Sequence, residues 1–335
     1  MIPRTIPTWQ EKNWQEELSA MITEPKALFS MLGLPQEKLA EAEQAAKLFP
    51  LKATRSYVSR ISPKDLGDPL LRQILPLGVE VEKQSGYSDD PLQESHFNPA
   101  PGLIHKYRGR VLLIASPHCA IHCRYCFRRN FDYEANQPSR QDWQQAFNYI
   151  REDDSINEVI LSGGDPLALS DRHLQWLFDE LASIAHVDTL RIHSRLPIVL
   201  PSRVTQSLLG VLNSSSFHCV VVVHANHPQE IDTEVGEALR QLRQQGVHLL
   251  NQCVLLNGIN DSADTLERLN RELFNHGVLP YYLHMLDKVN GTRHFDVTQQ
   301  QAKALHAELV QRLPGYLVPK LVREIPGENA KSAVL

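Results

Sequence analysis

The sequence predicts an α/β fold in which a parallel sheet of six strand–helix units carries the functional loops. Two observations support this prediction: short β-like apolar runs recur along residues 110–285, and amphipathic segments with helical spacing lie between them. Strands that alternate with helices form parallel sheets with right-handed crossovers. Six units fit either an open doubly wound sheet or a partial (βα) barrel. In both folds, the chemistry belongs in loops at the carboxyl ends of the strands.

The individual elements follow from the same patterns. The predicted strands cover residues 110–115, 158–161, 189–193, 217–224, 247–255 and 279–285. The predicted helices of this part cover residues 140–151, 171–185, 203–213, 228–245, 264–276 and 298–313. The sheet with its helices is expected to span residues 101–313.

Two further regions flank the predicted sheet. Residues 1–100 are expected to be mainly helical, with helical spacing over 14–32 and 36–48 and short helices joined by loops over 61–93. A Pro-rich joint at 97–102 separates this region from the sheet. The C-terminal segment, residues 314–335, is punctuated by Pro and Gly and is expected to be irregular.

Charge and hydropathy exclude several classes of protein. The 335 residues include 34 Lys and Arg against 39 Asp and Glu, a net charge of -5, which argues against a nucleic-acid-binding surface. No stretch approaches the roughly 18 apolar residues that a membrane span needs. The polar N-terminus, residues 1–14, contains no signal-peptide core. A cytoplasmic location is therefore expected.

Three of the five cysteines lie in one loop. Cys119, Cys123 and Cys126 form a C-x3-C-x2-C triplet directly after the first predicted strand. An odd number of cysteines with such clustering is unlike a disulfide framework. Three thiolates can hold an iron–sulfur cluster, whereas a structural zinc ion needs a fourth ligand, for which His118 or His122 is available. Cys219 and Cys253 lie in apolar strands, where they are expected to be buried.

A second motif follows the second predicted strand. Ser162, Gly163, Gly164 and Asp165 form a turn one strand–helix unit after the cysteines. Such a turn is either a plain strand-to-helix connection, with Asp near a helix start, or part of a binding site beside the cysteine loop.

The two motifs together resemble the radical S-adenosylmethionine (SAM) enzymes, in whose C-x3-C-x-aromatic-C signature Tyr125 is the aromatic residue. The resemblance implies a partial (βα)6 barrel and a [4Fe-4S] cluster on the three cysteines, with SAM on the iron that has no protein ligand. It also implies an electron donor such as flavodoxin or ferredoxin. The residues it assigns to SAM are Tyr125, Ser162, Gly163, Gly164, Asp165, Ser194, His224 and Gln252, and Arg195 lies beside them.

Within that superfamily, the chain resembles lysine 2,3-aminomutase. The stretches that carry this resemblance are residues 105–113, 126–129, 194–201, 224–228, 251–256, 258–261 and 315–319. The resemblance implies pyridoxal 5'-phosphate (PLP) as a further cofactor and lysine as the substrate. It also implies an isomerase that converts (S)-α-lysine to (R)-β-lysine.

The same resemblance assigns the PLP residues. Lys331, which follows Pro326-Gly327, matches the lysine that holds PLP, although Glu328-Asn-Ala330 replaces the Gly run of the family. Lys106, Tyr107 and Arg110 match the residues around the PLP phosphate, with Lys106 in place of an arginine.

The substrate residues are implied in the same way. Arg128, two residues after the last cysteine, matches the group that binds the substrate carboxylate. Asp287 and Glu324 match a pair of acids that bind the terminal ammonium, with Glu324 in place of the usual Asp. Two acids would repel a side-chain carboxylate, so the pair favours lysine over glutamate.

Finer features point to one biological role. Ser262 stands where catabolic lysine aminomutases carry a zinc-binding Cys, and the chain ends sooner after the PLP lysine than those enzymes do. In both respects it resembles the bacterial enzyme that supplies β-lysine for elongation factor P, together with a lysyl-tRNA-synthetase-like ligase. Two alternatives remain open at this point: an aminomutase for free lysine in catabolism or osmolyte synthesis, and a non-catalytic zinc-binding protein.

Overall fold

A computed structural model describes residues 13–82, 84–133, 136, 138–214 and 216–334. Within these ranges, a single nine-stranded sheet runs in strict sequence order from β1 to β9. The strands are β1 Leu103–Tyr107, β2 Arg110–Ser116, β3 Glu158–Gly163, β4 Thr189–Ser194, β5 His218–Val223, β6 His248–Val254, β7 Leu279–His284, β8 Lys320–Arg323 and β9 Ser332–Ala333. Strands β2 to β8 are parallel, whereas β1 and β9 pair antiparallel at the two edges.

Twelve α-helices are found in the same ranges. Five precede the sheet: α1 Trp14–Ser19, α2 Pro25–Leu32, α3 Leu39–Ala46, α4 Arg55–Val58 and α5 Pro69–Arg72. Seven follow its strands: α6 Arg140–Glu152, α7 Asp171–Ala182, α8 Leu196–Val199, α9 Gln206–Asn213, α10 Thr233–Gln244, α11 Ala263–Asn275 and α12 Gln299–Arg312.

The six long connecting helices begin in the same way. Each has a Ser, Thr or Asp N-cap whose side chain accepts a hydrogen bond from the backbone N–H three residues further on. This bond satisfies one of the N–H groups that a helix start leaves without a partner. These caps are Ser139, Ser170, Thr205, Asp232, Ser262 and Thr298.

The six predicted strands and six predicted helices are confirmed, with ends that differ by a few residues. The largest difference is at α10, which starts at Thr233 because the 3-10 turn Pro228–Glu230 stands in place of the predicted first helical turn, while α9 starts at Gln206 after the 3-10 turn Pro201–Arg203. Of the predicted polar N-terminus, residues 1–12 lie outside the described residues.

Two expectations are corrected, and one strand is found that the sequence did not predict. The segment 14–32 forms two helices, because the chain is extended at Ile22, which bridges to Ala53, and Pro25 then starts α2. The C-terminal segment is ordered rather than irregular, since it supplies strands β8 and β9. Strand β1, which turns back onto β2 through Gly109 at a φ of +79°, was not predicted.

The sheet curls into a partial barrel. Adjacent strands lie about 4.8 Å apart, so β1 and β8 would be separated by roughly 34 Å in a flat sheet. Instead, Lys106 Nζ on β1 is 2.6 Å from Glu324 Oε1, directly after β8. The two sides of the sheet therefore approach each other, which selects the barrel over the open doubly wound sheet.

The N-terminal helices share the core of the barrel. Buried apolar side chains from Trp14 to Val334 form one continuous cluster. Hydrogen bonds also join the N-terminal helices to the barrel. Thr54 Oγ1 donates to the carbonyl of Val199, and Arg60 Nη2 donates to the carbonyl of Ile198 at 2.8 Å. None of the helices in the described ranges is long and apolar enough to cross a membrane.

Candidate active site

A cavity of about 750 Å³ opens at the carboxyl ends of the strands. Its volume is in the range of pockets that hold cofactors and small substrates. All of the site residues predicted from the sequence line it except Ser194, namely Lys106, Tyr107, Arg110, Cys119, Cys123, Tyr125, Cys126, Arg128, Ser162, Gly163, Gly164, Asp165, His224, Gln252, Asp287, Glu324 and Lys331.

The two glycines explain how the cysteine loop packs against β3. A Cβ on Gly163 would lie 2.5 Å from the Ser116 carbonyl, and one on Gly164 would lie 2.5 Å from the His118 carbonyl. Instead, the backbone N–H of Gly164 donates to Ser116 O at 2.7 Å. The Gly-Gly pair is thus required for close backbone contact with the loop, whatever it binds.

The thiols of the three cysteines in this loop form no disulfide and lie in the cavity wall. Burial raises the pKa of Cys126 to about 12 and also raises the pKa of Cys119. Ionised thiolates therefore need positive charge beside them. The guanidinium of Arg195 supplies some, since its Nη1 donates to Cys123 Sγ at 2.7 Å.

One of the two histidines that could complete a zinc site is engaged elsewhere. Among the described residues, no three His, Cys, Asp or Glu side chains converge on a point that could hold one ion. His122, a candidate fourth zinc ligand, directs Nδ1 to the Pro50 carbonyl at 2.8 Å and stacks on Phe49. Three thiolates on one loop can hold three corners of a cubic cluster and leave one iron open.

Asp165 ties the ends of two strands together. Its Oδ1 accepts from Ser194 Oγ at 2.7 Å and from Leu167 N at 3.0 Å. Its Oδ2 accepts from the backbone N–H groups of Arg195 and Leu196. Burial nevertheless raises its pKa to about 6. Asp165 therefore holds the ends of β3 and β4 together at the cavity. Ser194 contributes to this through its bond to Asp165 but does not itself line the cavity.

Neutral side chains line the cavity at β5 to β7. His224 Nε2 and Gln252 Nε2 share a hydrogen bond at 2.9 Å. Burial lowers the pKa of His224 to about 3, and that of His284 on β7 likewise to about 3. Both imidazoles therefore stay uncharged at neutral pH and can accept or donate hydrogen bonds to a bound molecule.

Tyr125 is anchored away from solvent. Its hydroxyl accepts from Asn226 Nδ2 at 2.6 Å, and its ring meets Phe295 edge to face at 6.2 Å between centroids. These contacts fix the direction of the last cysteine turn.

Arg128 enters the cavity as half of a buried ion pair. Its Nε and Nη2 each donate to Glu94 at 2.8 Å, and both side chains are less than one-tenth exposed. Its Nη1 donates to Ser162 Oγ at 3.1 Å. Glu94 thus holds Nε and Nη2 while Ser162 and the Gly163 carbonyl face Nη1, so an anion from the cavity can use only the N–H groups that these partners leave.

A hairpin brings Lys331 opposite Glu324. Strands β8 and β9 pair Arg323 with Ser332, so Glu324 and Lys331 are the next residues outward. Lys331 Nζ lies 2.5 Å from Glu324 Oε2. The spacing of the C-terminal motif is therefore set by the register of this hairpin.

The remaining predicted cofactor and substrate groups surround that ion pair. Lys106 pairs with Glu324, while the guanidinium of Arg110 lies 4.8 Å from the Tyr107 ring centroid. Among the described residues, no carboxylate pairs with Arg110, so its charge is available to an anion such as a phosphate. Burial, followed by the charge of Glu324, raises the pKa of Asp287 to about 7.

Sequence reasoning missed the partners behind these groups. Glu94 holds Arg128, and Glu230 with Gln73 holds Arg195 at 2.9 and 2.7 Å. Gln73 and Glu94 lie in the N-terminal region, far along the chain from the residues they contact. No spacing or motif in the sequence signals such pairs.

Comparisons with known proteins show which families the chain resembles. A family model described as a 4Fe-4S single cluster domain matches residues 108–189. The chain is 45% identical over 329 residues to an L-lysine 2,3-aminomutase of Escherichia coli (strain K12), covering 98% of this chain and 96% of that protein. An L-lysine 2,3-aminomutase of Haemophilus influenzae is 42% identical, covering 99% of this chain and 98% of that protein.

Two more distant proteins are also similar. A glutamate 2,3-aminomutase of Clostridioides difficile is 32% identical, covering 98% of this chain and 77% of that protein. Among solved structures, a radical SAM methyltransferase from Sphaerobacter thermophilus is 15% identical with a TM-score of 0.46, covering 66% of this chain and 68% of that one.

A three-cysteine loop beside a glycine turn, at the mouth of a partial barrel, defines a radical SAM enzyme with a [4Fe-4S] cluster and SAM as cofactors. Its reaction class follows from the full-length relatives. The chain belongs to the lysine 2,3-aminomutase family, whose members are PLP-dependent isomerases.

Proposed function

We propose that the protein converts (S)-α-lysine to (R)-β-lysine, using PLP together with the cluster and SAM. One observation carries this proposal: the three cluster thiols, Lys331 and the acids Asp287 and Glu324 line a single cavity. A radical aminomutase needs the source of the radical, the group that carries the amine and the residues that bind the substrate close to one another.

The residues around the cavity fit these cofactors. When bound, SAM and the cluster would supply a carbon-centred radical that removes hydrogen from the substrate, and PLP would hold the migrating nitrogen. Cys119, Cys123 and Cys126 would ligate the cluster, and SAM would lie along Tyr125, Asp165, His224 and Gln252. Lys331 would hold PLP, with its phosphate near Tyr107 and Arg110.

The protein's own contribution is placement and the exclusion of water. Arg128 offers a guanidinium edge to the substrate carboxylate, 3.1 Å from Ser162 at the cluster side. The acids Asp287 and Glu324 lie on the β7–β8 side of the cavity. An α-amino acid held between them presents its C2 and C3 to the middle of the cavity, where the neutral His224 and Gln252 leave no competing charge.

The charges favour lysine over glutamate as substrate. Glutamate would bring a second carboxylate toward Asp287 and Glu324, and like charges repel strongly in a partly buried site. Lysine brings an ammonium that the two acids can offset.

The test is an anaerobic assay of the reconstituted enzyme. The protein is loaded with iron, sulfide, PLP and SAM, reduced, and given (S)-lysine or (S)-glutamate, with Cys126→Ala as the control. We expect β-lysine from the wild type alone and no β-glutamate. Cleavage of SAM without β-lysine would refute the substrate assignment, and no cleavage by a reduced, fully loaded enzyme would refute the radical chemistry.

We further propose that the product serves the β-lysylation of elongation factor P, through a lysyl-tRNA-synthetase-like ligase. Ser262 supports this role, since it is the N-cap of α11 rather than a zinc-binding thiol as in the catabolic enzymes that the chain resembles. The role requires a cytoplasmic location and a reductant such as flavodoxin or ferredoxin. Deletion of the gene should leave elongation factor P without β-lysine by mass spectrometry. Unchanged modification, or accumulation of free β-lysine by the wild type, would favour catabolism or osmolyte synthesis instead.

A further inference from the structure

Arg195 directly follows β4, and only 6% of its side chain is exposed. Its Nη2 donates to Glu230 Oε2 at 2.9 Å and to Gln73 Oε1 at 2.7 Å. Its guanidinium carbon lies 5.5 Å from the centroid of the Tyr57 ring. None of these three partners is assigned to the cluster, to SAM or to PLP. The protein itself therefore holds the guanidinium in place, independently of any cofactor.

Glu230 is fixed as firmly as the arginine that it holds. Its side chain is fully buried, and its Oε1 accepts from the backbone N–H groups of Asn226 and His227 at 2.9 and 3.1 Å. Its Oε2 accepts from Arg195, whose Nη1 in turn donates to Cys123 Sγ at 2.7 Å. The buried ion pair therefore has a defined direction, with its positive end toward the cysteine loop.

This direction matters for electron transfer to the cluster. Reduction adds one electron, and hence one negative charge, to a cluster that Cys123 would ligate. Hydrogen bonds to the ligating sulfur atoms are among the factors that determine the reduction potential of an iron–sulfur cluster. A positive charge at the sulfur stabilises the reduced cluster, and burial makes this interaction stronger than it would be in water.

We infer that Arg195 raises the reduction potential of the cluster through its hydrogen bond to Cys123, and that Glu230 and Gln73 are positioning residues that hold the guanidinium there. This inference goes beyond the proposed function, because it concerns the cluster alone and requires neither lysine nor PLP. Gln73 belongs to helix-rich residues 1–100, so the N-terminal region also contributes to the redox chemistry.

The experiment is a redox titration of the reconstituted protein without SAM. Dithionite supplies the electron through mediator dyes, and the reduced cluster is followed by electron paramagnetic resonance. Arg195→Gln removes the charge at Cys123, so the equilibrium constant for reduction should fall by about tenfold or more, which is about 59 mV for a one-electron couple. Glu230→Gln removes the negative end of the pair, so the potential should rise. Damage to the fold alone would not shift the two potentials in opposite directions.

Arg60 provides the matched control. Its guanidinium carbon lies 5.4 Å from the centroid of the same Tyr57 ring, and its Nη1 donates to the backbone carbonyl of Glu230. Among the described residues, however, its side chain makes no hydrogen bond to a cysteine. Arg60→Gln removes the same charge from the same surroundings, so its potential should change much less than that of Arg195→Gln.

Several outcomes would overturn the inference. An unchanged potential in Arg195→Gln, an equal shift in Arg60→Gln or a fall in Glu230→Gln would each do so. Weaker SAM binding by Arg195→Gln at an unchanged potential would show that Arg195 serves SAM and not the cluster.

Iron analysis shows whether each variant carries a full cluster. If Arg195→Gln does not, the double variant with Glu230→Gln takes its place, because it leaves no buried charge without its partner. Its potential should also lie below that of the wild type, and an unchanged potential would count against the inference. None of these results depends on whether the enzyme forms β-lysine.

Discussion

Arg128 shows how much of a site residue's behaviour is decided by a partner outside the site. Its guanidinium is expected to receive the substrate carboxylate, yet two of its N–H groups are already committed to Glu94. A bidentate pair of this kind fixes the plane of the guanidinium. The direction in which Arg128 can offer its remaining N–H groups is therefore set largely by Glu94, a residue of the N-terminal region.

Replacing Glu94 should be costly for stability. Glu94→Gln leaves the buried charge of Arg128 uncompensated, and breaking a buried pair in this way typically costs about 3–5 kcal/mol. The matched control is Glu237→Gln, because the Arg240–Glu237 pair is 50% and 53% exposed and should contribute less than about 1 kcal/mol. Urea unfolding of the apoproteins measures both. Equal losses in the two variants would contradict a structural role for the Glu94 pair.

The pKa of Asp287 predicts a pH signature of its own. Its folded-state pKa of about 7 lies above the value near 3.9 of an unfolded Asp, so its contribution to stability is present below about pH 4 and is lost as the pH rises to 7. The charged groups that act on it are Glu324, Lys331, Glu94 and Lys106.

The difference in the free energy of unfolding between Asp287→Asn and the wild type isolates this effect. Asp287→Asn cannot titrate, so its stability relative to the wild type should increase between pH 4 and pH 7 and then level off. Buried histidines such as His224 act in the opposite direction, but equally in both proteins. Denaturant unfolding at a series of pH values measures the difference. If the difference in unfolding free energy stays constant between pH 4 and pH 7, Asp287 ionises as an ordinary Asp does.

At the scale of elements, the sequence predicts what local chemistry determines. The central strands and long helices follow from apolar spacing, and the cysteine loop follows from its own spacing. Strands β1, β8 and β9 were not predicted because they are short and adjoin Gly and Pro, and β8 in addition pairs with β7, which lies beyond helix α12. The contacts of Glu94 with Arg128 and of Gln73 with Arg195 were not predicted because the partners lie far apart in the sequence.

The junction between β3 and the cysteine loop should tolerate no side chain at Gly164. Gly164→Ala would place a Cβ 2.5 Å from the His118 carbonyl, which must then move and take the cysteine loop with it. We expect a less stable protein with reduced iron content after reconstitution, read from its absorbance near 400 nm and by iron analysis.

Gly210 in helix α9 is the matched control for that change. A Cβ there meets nothing within 4 Å. Gly210→Ala should therefore stabilise the helix by up to about 1 kcal/mol and leave the iron content unchanged. A normal iron content in Gly164→Ala would show that the cysteine loop does not depend on this contact.

At the scale of the whole molecule, one apolar core links the N-terminal helices to the barrel. Trp14 and Trp143 both belong to it, one in α1 and the other in α6. Variants that keep only Trp14 or only Trp143 should therefore show coincident unfolding midpoints by fluorescence. An earlier midpoint for Trp14 would show that the region 1–100 unfolds as a separate domain from 101–313.

The hairpin that carries Lys331 has a consequence for how such sequences can diverge. Residues 327–330 are exposed, but Gly327 has a φ of +84°, which favours glycine whatever space surrounds it. Substitutions at the exposed residues 328–330 should therefore cost little, which fits Glu328-Asn-Ala330 in place of a Gly run. An inserted or deleted residue should be more harmful, because shifting the register of the β8–β9 hairpin by one residue turns the side chains of β9 to the opposite face. In this stretch, substitutions should therefore be tolerated better than insertions or deletions.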